Sequence, residues 1–340
     1  MLVDGGIGSD LAKAARQAQG QEEQGFDGLW AAETNHDPFL ALTLAAEHTE
    51  RIQLGTGIAV AFARSPMTLA QTAYNLNAFA EGRLLLGLGS QIKAHITRRF
   101  SMPWSHPAAR MKEFVSAMQA IWHTWETGEK LDFRGDFYEH TLMTPFFDPG
   151  PNEFGAPKVF LAAVGELMTK VVGEVCDGML CHGFTTEAYL REVTVPALTS
   201  GLDASSRTRG DVQLSLPAFV VTGTTEEETA AAAAGVRQQI AFYGSTPAYR
   251  GVLEHHGWGE LQTELNGLSK QGKWTEMGEL IDDDILATFA VVAEPDRVGD
   301  ELLGRFGDLV DRISFYAPYQ AQADAFAPAI ERLRAEPARS

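Results

Sequence analysis

The apolar residues of this chain alternate between two rhythms. Short continuous apolar runs, such as RIQLGTGIAVA (Arg51–Ala61), the run from Leu84 in GRLLLGLGS and VQLSLPAFVVT (Val212–Thr222), are bounded by glycine, proline and polar residues. Runs of this kind mark strands buried on both faces. Between them lie longer stretches in which apolar residues recur every three or four positions. Examples are Leu69, Ala73, Leu76 and Ala80, and then Met111, Phe114, Val115, Met118, Ile121, Trp122 and Trp125. That spacing puts them on one face of a helix.

In chain order the strands predicted are Leu2–Val3, Phe26–Ala32, Arg51–Ala61, the run from Leu84, Val159–Ala163, Asp177–His182, Val212–Thr222 and Val310–Tyr316. The helices are Ser9–Gly25, Phe39–Thr49 with Pro38 as its first residue, one opened by Pro66, Pro107–Thr127, Glu166–Cys176, Thr186–Leu198, Thr225–Phe242, Pro295–Phe306 and Ala321–Arg334. Ile96–Ser105 reads as a polar loop, and Gly244–Asp284 as a mixture of helical pieces and loop. Eight strands, each followed by a helix, make an α/β chain of (β/α)8 TIM-barrel type. Residues 1–340 then form a single barrel domain, with insertions after strand 4 (about 128–157) and before strand 8 (about 244–285). An open dinucleotide-binding sheet is the alternative, but GTGIAV and GLGSQI both lack the third glycine of its fingerprint.

A barrel binds its ligands at the C-terminal ends of its strands. The stretch Gly82–His95 (GRLLLGLGSQIKAH) is therefore central, because a buried strand breaks there into Gly87, Gly89, Ser90 and Gln91. His36 lies just past the second strand, where a histidine can exchange a proton with a substrate near neutral pH. Glu33 is the nearby acid. Val164 and Gly165 end the fifth strand and open a helix whose first N–H groups can meet an anion. Lys93, Arg98 and Arg99 form a small basic cluster. Phe62, Phe100, Trp104, Phe146, Phe147 and Tyr316 suggest an aromatic-lined, apolar pocket.

Charge narrows the choice of partner. The net charge is −18, which argues against nucleic acid and anionic membrane surfaces. No apolar run is long enough to span a bilayer, and MLVDGGIGSD lacks the shape of a signal peptide. The two cysteines, Cys176 and Cys181, form no paired spacing and fit a reducing cytoplasm. Cys181 and His182 are adjacent on a strand and so face opposite ways, which leaves Cys181 as a buried core residue. His255–His256 lacks further ligands in pattern and reads as a solvated loop; no metal site is expected. HExxH, GxSxG and P-loop motifs are absent.

Four segments occur in one order: FDGLWAAETNHDPF, RIQLGTGIAVAFARSPMTLA, GRLLLGLGSQIKAH and FLAAVGELMTKVVGEVCDGML. Together they resemble the bacterial-luciferase-like flavin and deazaflavin oxidoreductases, and most closely the subgroup that uses coenzyme F420. The resemblance spans nearly the whole chain. It implies a (β/α)8 barrel holding a tricyclic ring at its C-terminal mouth, against a non-prolyl cis peptide that maps to Gly57–Ile58. Gly87, Gly89, Ser90 and Gln91 match the segment near the ring's pyrimidine edge. Ala163, Val164 and Gly165 match the phosphate-binding segment, where many members read Ser-Gly-Pro; Val164-Gly165-Glu166 stands here instead. His36 matches a loop that carries a catalytic or substrate-facing histidine in several members. Arg98 and Arg99 are suited to the acidic polyglutamyl tail of the deazaflavin. The implied reaction is hydride transfer to or from a small apolar alcohol, ketone or enone, in a cytoplasmic homodimer. An FMN-dependent monooxygenase and a non-catalytic flavin-binding paralogue are the alternatives.

Overall fold

A computed structural model describes residues 1–322 and 324–336. Eight parallel strands alternate with helices as a (β/α)8 barrel: β1 Leu2–Ile7, β2 Gly28–Ala31, β3 Gln53–Thr56, β4 Leu84–Gly89, β5 Lys158–Ala163, β6 Gly178–Cys181, β7 Gln213–Val221 and β8 Arg312–Tyr316. Each overlaps a predicted run, and β1 continues four residues past the expected Leu2–Val3. A two-residue strand, Ala59–Val60, continues beyond β3 and pairs with Leu88 and Gly89 of β4. A further short strand, Ala290–Val292, joins the edge of β7. The chain forms two compact units, one of residues 5–180 with 197–213, the other of residues 1–4, 181–196 and 214–340.

In the first unit β2 to β5 lie side by side in parallel register, from Gly28 opposite Gln53 to Leu88 opposite Leu161. Leu84, Leu85, Leu86 and Leu88 are all buried, as a strand enclosed on both faces requires. The helix starts follow capping chemistry. Asp10 accepts from Ala12 N, Asp37 from Phe39 N and Ser65 from Thr68 N; Pro38 and Pro66 follow the latter two caps as first helical residues. Arg83 and Glu22, with Asn77 Oδ1 accepting from Leu84 N at 3.2 Å, hold the N-terminal ends of β3 and β4. Arg83 spends all five N–H groups on Ala80 O, Thr49 Oγ1, Ile52 O, Ala46 O and Thr49 O. The Glu22 carboxylate accepts from the N–H groups of Glu50, Arg51 and Ile52. Partial burial pushes Glu22 up, but these donors outweigh it and hold the carboxyl below its usual range.

In the second unit β8 lies between β1 and β7. Arg312 and Asp4 are fully buried there and form a two-pronged ion pair at 2.6 and 2.8 Å. Its core extends into four short helices, Arg250–His255, Gly259–Lys270, Trp274–Glu279 and Asp283–Phe289. Val252, Leu253, Leu265, Met277, Ile285 and Phe289 pack with Phe184, Phe219 and Ile240 in one cluster.

Some elements differ from expectation. Lys93–Arg98 is a helix, where a polar loop was expected from Ile96, because buried Ile96 anchors it. Gly244–Asp284 is mostly helical. Thr186–Leu198 begins as a single turn at Glu187–Tyr189, widens to a π turn over Leu190–Thr194 and continues as Val195–Ala204. The last helix is short, Ala327–Arg334. The insertion near 128–157 carries one small hairpin, Phe133–Arg134 with Glu139–His140. Phe146 and Phe147 stand in solvent at 90% and 67% exposure rather than lining a pocket.

Candidate active site

The bend after β3 is fixed by Glu33. The Gly57–Ile58 peptide bond is cis. Glu33 N donates to Ile58 O at 3.2 Å, and its Oε2 accepts from Val60 N at 2.7 Å. The same oxygen takes Arg64 Nη1 at 2.6 Å, while Arg64 Nη2 reaches Asp37 at 2.9 Å. Glu33 is nearly enclosed, its side chain 8% exposed. Ile58 is half-buried and forms an apolar shelf.

The glycines of β4 are explained by this shelf. A Cβ on Gly89 would lie 2.9 Å from Ile58 Cδ1, and one on Gly87 would overlap the Thr56 carbonyl. Thr56 Oγ1 donates to Gly87 O at 2.6 Å, so the strands are tied where they come closest. Ser90 Oγ donates to Gln91 O at 3.2 Å. Gln91 has φ 60, and its side-chain oxygen receives Ile92 N at 3.0 Å. After β5, Ala163 is buried, Val164 half-buried and Gly165 exposed. Gly165 opens the helix Glu166–Val175 with no side-chain cap, and a Cβ there would meet nothing within 4 Å.

His36 is exposed and makes no hydrogen bond to another described residue. Arg98 is likewise exposed. Arg99 donates to Thr34 O and lies 4.8 Å above the Phe100 ring. The Glu33 side chain is therefore engaged, while those of His36 and Arg98 stay open to solvent.

The second unit holds a group that sequence reasoning passed over. His182, just beyond β6, accepts Phe184 N on Nδ1 at 3.0 Å and meets Tyr249 Oη with Nε2 at 3.2 Å. Tyr243 Oη and Tyr316 Oη lie 2.6 Å apart, and the His182 ring is 4.6 Å from that of Tyr243. Burial pushes His182 down to about 4, so it is neutral at pH 7. Gly183 is obligatory in this packing, since a Cβ would lie 2.9 Å from the Tyr316 ring. Of the four, Tyr316 stood out in the sequence as an aromatic pocket residue and His182 only as a neighbour of Cys181. His182 and Tyr249 are 67 residues apart, and no local pattern joins them.

His255 and His256 are structured rather than solvated. His255 ends a helix and pairs with Glu192 at 3.2 Å. His256 bonds Thr186 at 2.8 Å and stacks on Trp258. Among the described residues no three His, Cys, Asp or Glu side chains are placed to hold a metal ion, and no helix is long and apolar enough to cross a membrane.

A sequence profile of the luciferase-like monooxygenase family matches residues 2–312. The chain belongs to that family. It is an oxidoreductase family, and its relatives agree with the barrel. An uncharacterized protein of Mycobacterium tuberculosis (strain ATCC 25618 / H37Rv) is 55% identical over 313 residues, 92% of each chain. The 5,10-methylenetetrahydromethanopterin reductase of Methanolobus tindarius is 26% identical over 306 residues, 88% of this chain and 87% of that one. Among solved structures, the coenzyme F420-dependent tetrahydromethanopterin reductase of Methanopyrus kandleri superposes with TM-score 0.77 at 21% identity, covering 98% and 97% of the chains. An F420-dependent secondary alcohol dehydrogenase in complex with an F420–acetone adduct superposes with TM-score 0.73 at 15% identity and 98% coverage of both. At these identities the likeness of the solved structures carries the fold. Within the luciferase-like family the arrangement of Glu33, Gly57, Ile58 and Gly89 thus lies on a parallel barrel, beside the C-terminal ends of β2, β3 and β4.

Proposed function

We propose that this chain is a coenzyme F420-dependent oxidoreductase, transferring a hydride between the deazaflavin ring and a small apolar alcohol, ketone or enone. The observation that carries the reading is a fixed apolar shelf near an uncapped helix start. Glu33 ties Ile58 O through its N–H and Val60 N through its carboxylate, and Gly165 opens its helix just after β5, two strands away from β3. Two strand spacings are about 10 Å, a span suited to a flat ring at one end and a phosphate at the other.

The residues present fit such a group. Gly165 leaves open space at the helix N-terminus, where N–H groups favour an anion; the adjacent Glu166 adds a repulsive charge. Ala163, Val164 and Gly165 would hold the phosphate through backbone. Gly57 and Ile58 would support one ring face, and Gly87, Gly89, Ser90 and Gln91 would border its edge. Arg98 and Arg99 would meet an acidic tail. When bound, the reduced deazaflavin supplies a hydride equivalent. His36, exposed after β2, would bond the substrate oxygen or supply its proton, a contribution of about 10²–10⁴ in rate. Glu33 sits beside it and acts through the shelf it positions. Cys176 and Cys181 are both buried thiols, in keeping with a reducing cytoplasm. Exposed Leu40, Phe79 and Leu167 on helix surfaces support a homodimer.

A second reading, an FMN-dependent monooxygenase, is favoured by the family's own description. The two are separated by titrating the protein with coenzyme F420 and with FMN, following tryptophan and cofactor emission. Tight binding of F420 and weak binding of FMN is the expected result. Tight FMN binding with oxygen consumption would overturn the proposal. Binding without turnover of any ketone or alcohol would mark a flavin-binding paralogue.

A further inference from the structure

The segment that carries His36 has little of its own to hold it. Thr34, Asn35 and His36 make no backbone–backbone hydrogen bond to another described residue, and His36 is exposed. A segment of this kind takes its position from its two ends. One end is Glu33, just past β2. The other is Asp37, which caps the helix beginning at Pro38 by accepting from Phe39 N at 2.9 Å. Arg99 donates to Thr34 O from outside, but its own side chain is exposed.

Arg64 binds both ends at once. Its Nη1 donates to Glu33 Oε2 at 2.6 Å and to Val60 O at 3.2 Å, and its Nη2 donates to Asp37 Oδ2 at 2.9 Å. The guanidinium also lies 5.7 Å from the centre of the Phe39 ring. Groups from Glu33, Asp37, Phe39 and Val60 thus share one planar cation, an arrangement suited to a rigid fork of donors and not to a lysine ammonium. Glu33 is also the residue that ties Ile58 O and Val60 N. Arg64 therefore joins the His36 segment to the shelf.

The two halves of this contact differ. The Arg64 and Glu33 side chains are 19% and 8% exposed, so their attraction is little screened. Asp37 is 45% exposed, and an ion pair so open to water adds little to stability. What it adds is a second fixed point. A segment held at both ends by one rigid group has far less room than a segment held at one.

We propose that Arg64 is a positioning residue of this site: by clamping Glu33 and Asp37 together it presents His36 to the substrate in one place relative to the Ile58 shelf. This rests on the proposed reading of His36 as the residue that meets the substrate oxygen. Arg64 acts through His36, and a displacement of about 1 Å at such a group can cost about 10²-fold in rate.

The test separates placement from chemistry. The full chain is labelled with ¹⁵N-histidine and studied without cofactor; the His36 amide resonance is the one missing from His36→Ala. Its order parameter is expected near about 0.85 in the native protein and below about 0.6 in Asp37→Asn. Asparagine can still cap the helix through its oxygen, but its amide nitrogen cannot accept from Arg64, so the cap stays and the clamp opens. The melting temperature of Asp37→Asn should be nearly unchanged. With reduced F420 and cyclohexanone, Asp37→Asn should lower kcat by about tenfold, with KM and F420 affinity little changed. Arg64→Lys should lower it at least as far, since lysine keeps the charge without the fork. In a His36→Ala background Asp37→Asn should cost nothing further, because the clamp then has nothing left to position. An order parameter unchanged in Asp37→Asn, or a full further loss of kcat on top of His36→Ala, would overturn the proposal. A fall in order alongside turnover that His36→Ala does not alter would overturn the reading of His36, while the clamp itself would stand.

Discussion

Adding one methyl group at Gly87 should disturb both stability and the shelf. A Cβ there would overlap the Thr56 carbonyl oxygen, lie 3.1 Å from its carbon and sit 2.9 Å from Leu180 Cδ1. Relaxed carbon–carbon contacts are about 3.5–4.0 Å, so the strands must part by several tenths of an ångström to an ångström. The obstacle is backbone, and it is tied to Gly87 O by the Thr56 hydroxyl at 2.6 Å. Gly87→Ala should therefore cost toward the upper end of the ~1–3 kcal/mol seen for overpacking. At about 2.1 cal/mol/K per residue, a chain of 340 residues has an unfolding entropy of ~0.7 kcal/mol/K. The melting temperature should fall by about 3–4 °C. Thr56 leads directly into Gly57 and Ile58, so F420 affinity should weaken in the same variant, by about tenfold for each 1.4 kcal/mol. Gly165→Ala is the contrasting change. With φ −97, ψ 157 and open space around it, alanine is accommodated without strain. It should leave the melting temperature unchanged or slightly higher, while a methyl group beside the helix start weakens cofactor binding. Differential scanning calorimetry and F420 fluorescence titration read both effects. A Gly87→Ala protein that melts with the native one would refute the packing account. A Gly165→Ala protein that binds F420 normally would refute the anion site.

Three further outcomes are expected. Arg312→Met removes the guanidinium that neutralises the buried Asp4 carboxylate and should cost about 3–5 kcal/mol; Asp4→Leu/Arg312→Met should cost far less than the summed single changes, which a denaturant double-mutant cycle checks. Glu22→Gln should lower the melting temperature at pH 7. Because the folded carboxyl lies below its ordinary 4.5, its contribution is present above about that pH and is lost as pH falls through the folded value, so the two melting curves should converge on acidification. His36→Ala should reduce kcat by about 10²-fold or more with F420 affinity preserved; unchanged turnover in a steady-state assay would remove His36 from the chemistry.

The barrel was legible because most of its strands carry short, mainly apolar runs. LLLGLG leaves no polar face to expose, and Pro38 and Pro66 punctuate helix starts. Three of the four helices between Arg250 and Phe289 were not, because at six or seven residues each is too short to show its period. The apolar residues of all four, such as Val252, Leu265 and Met277, make sense only as one shared cluster. At the site, the glycines of β4 stood out as turn signals, yet the structure gives Gly87 and Gly89 a packing reason as well. Glu33 stood out as an acid near a strand end; its bonds to Val60 N and Arg64 come from a segment nearly 30 residues on and cannot be read locally. His182 and Tyr249 were hidden for the same reason.

The Arg83 and Glu22 anchors have an evolutionary consequence. Arg83 has no donor left over, and Glu22 gathers three consecutive amides, so these two side chains, with Asn77 Oδ1 accepting from Leu84 N, secure the N-terminal ends of two strands. Lysine, with three donors, has no means of replacing the first. Selection on these few positions then bears on how β3 and β4 begin. Apart from Thr49, whose hydroxyl takes part, the residues they hold contribute backbone there, and the exposed side chains of Glu50 and Arg51 are free to drift. A lineage built this way can renew the loops at the opposite strand ends, and with them its choice of substrate, without re-solving how the strands are held.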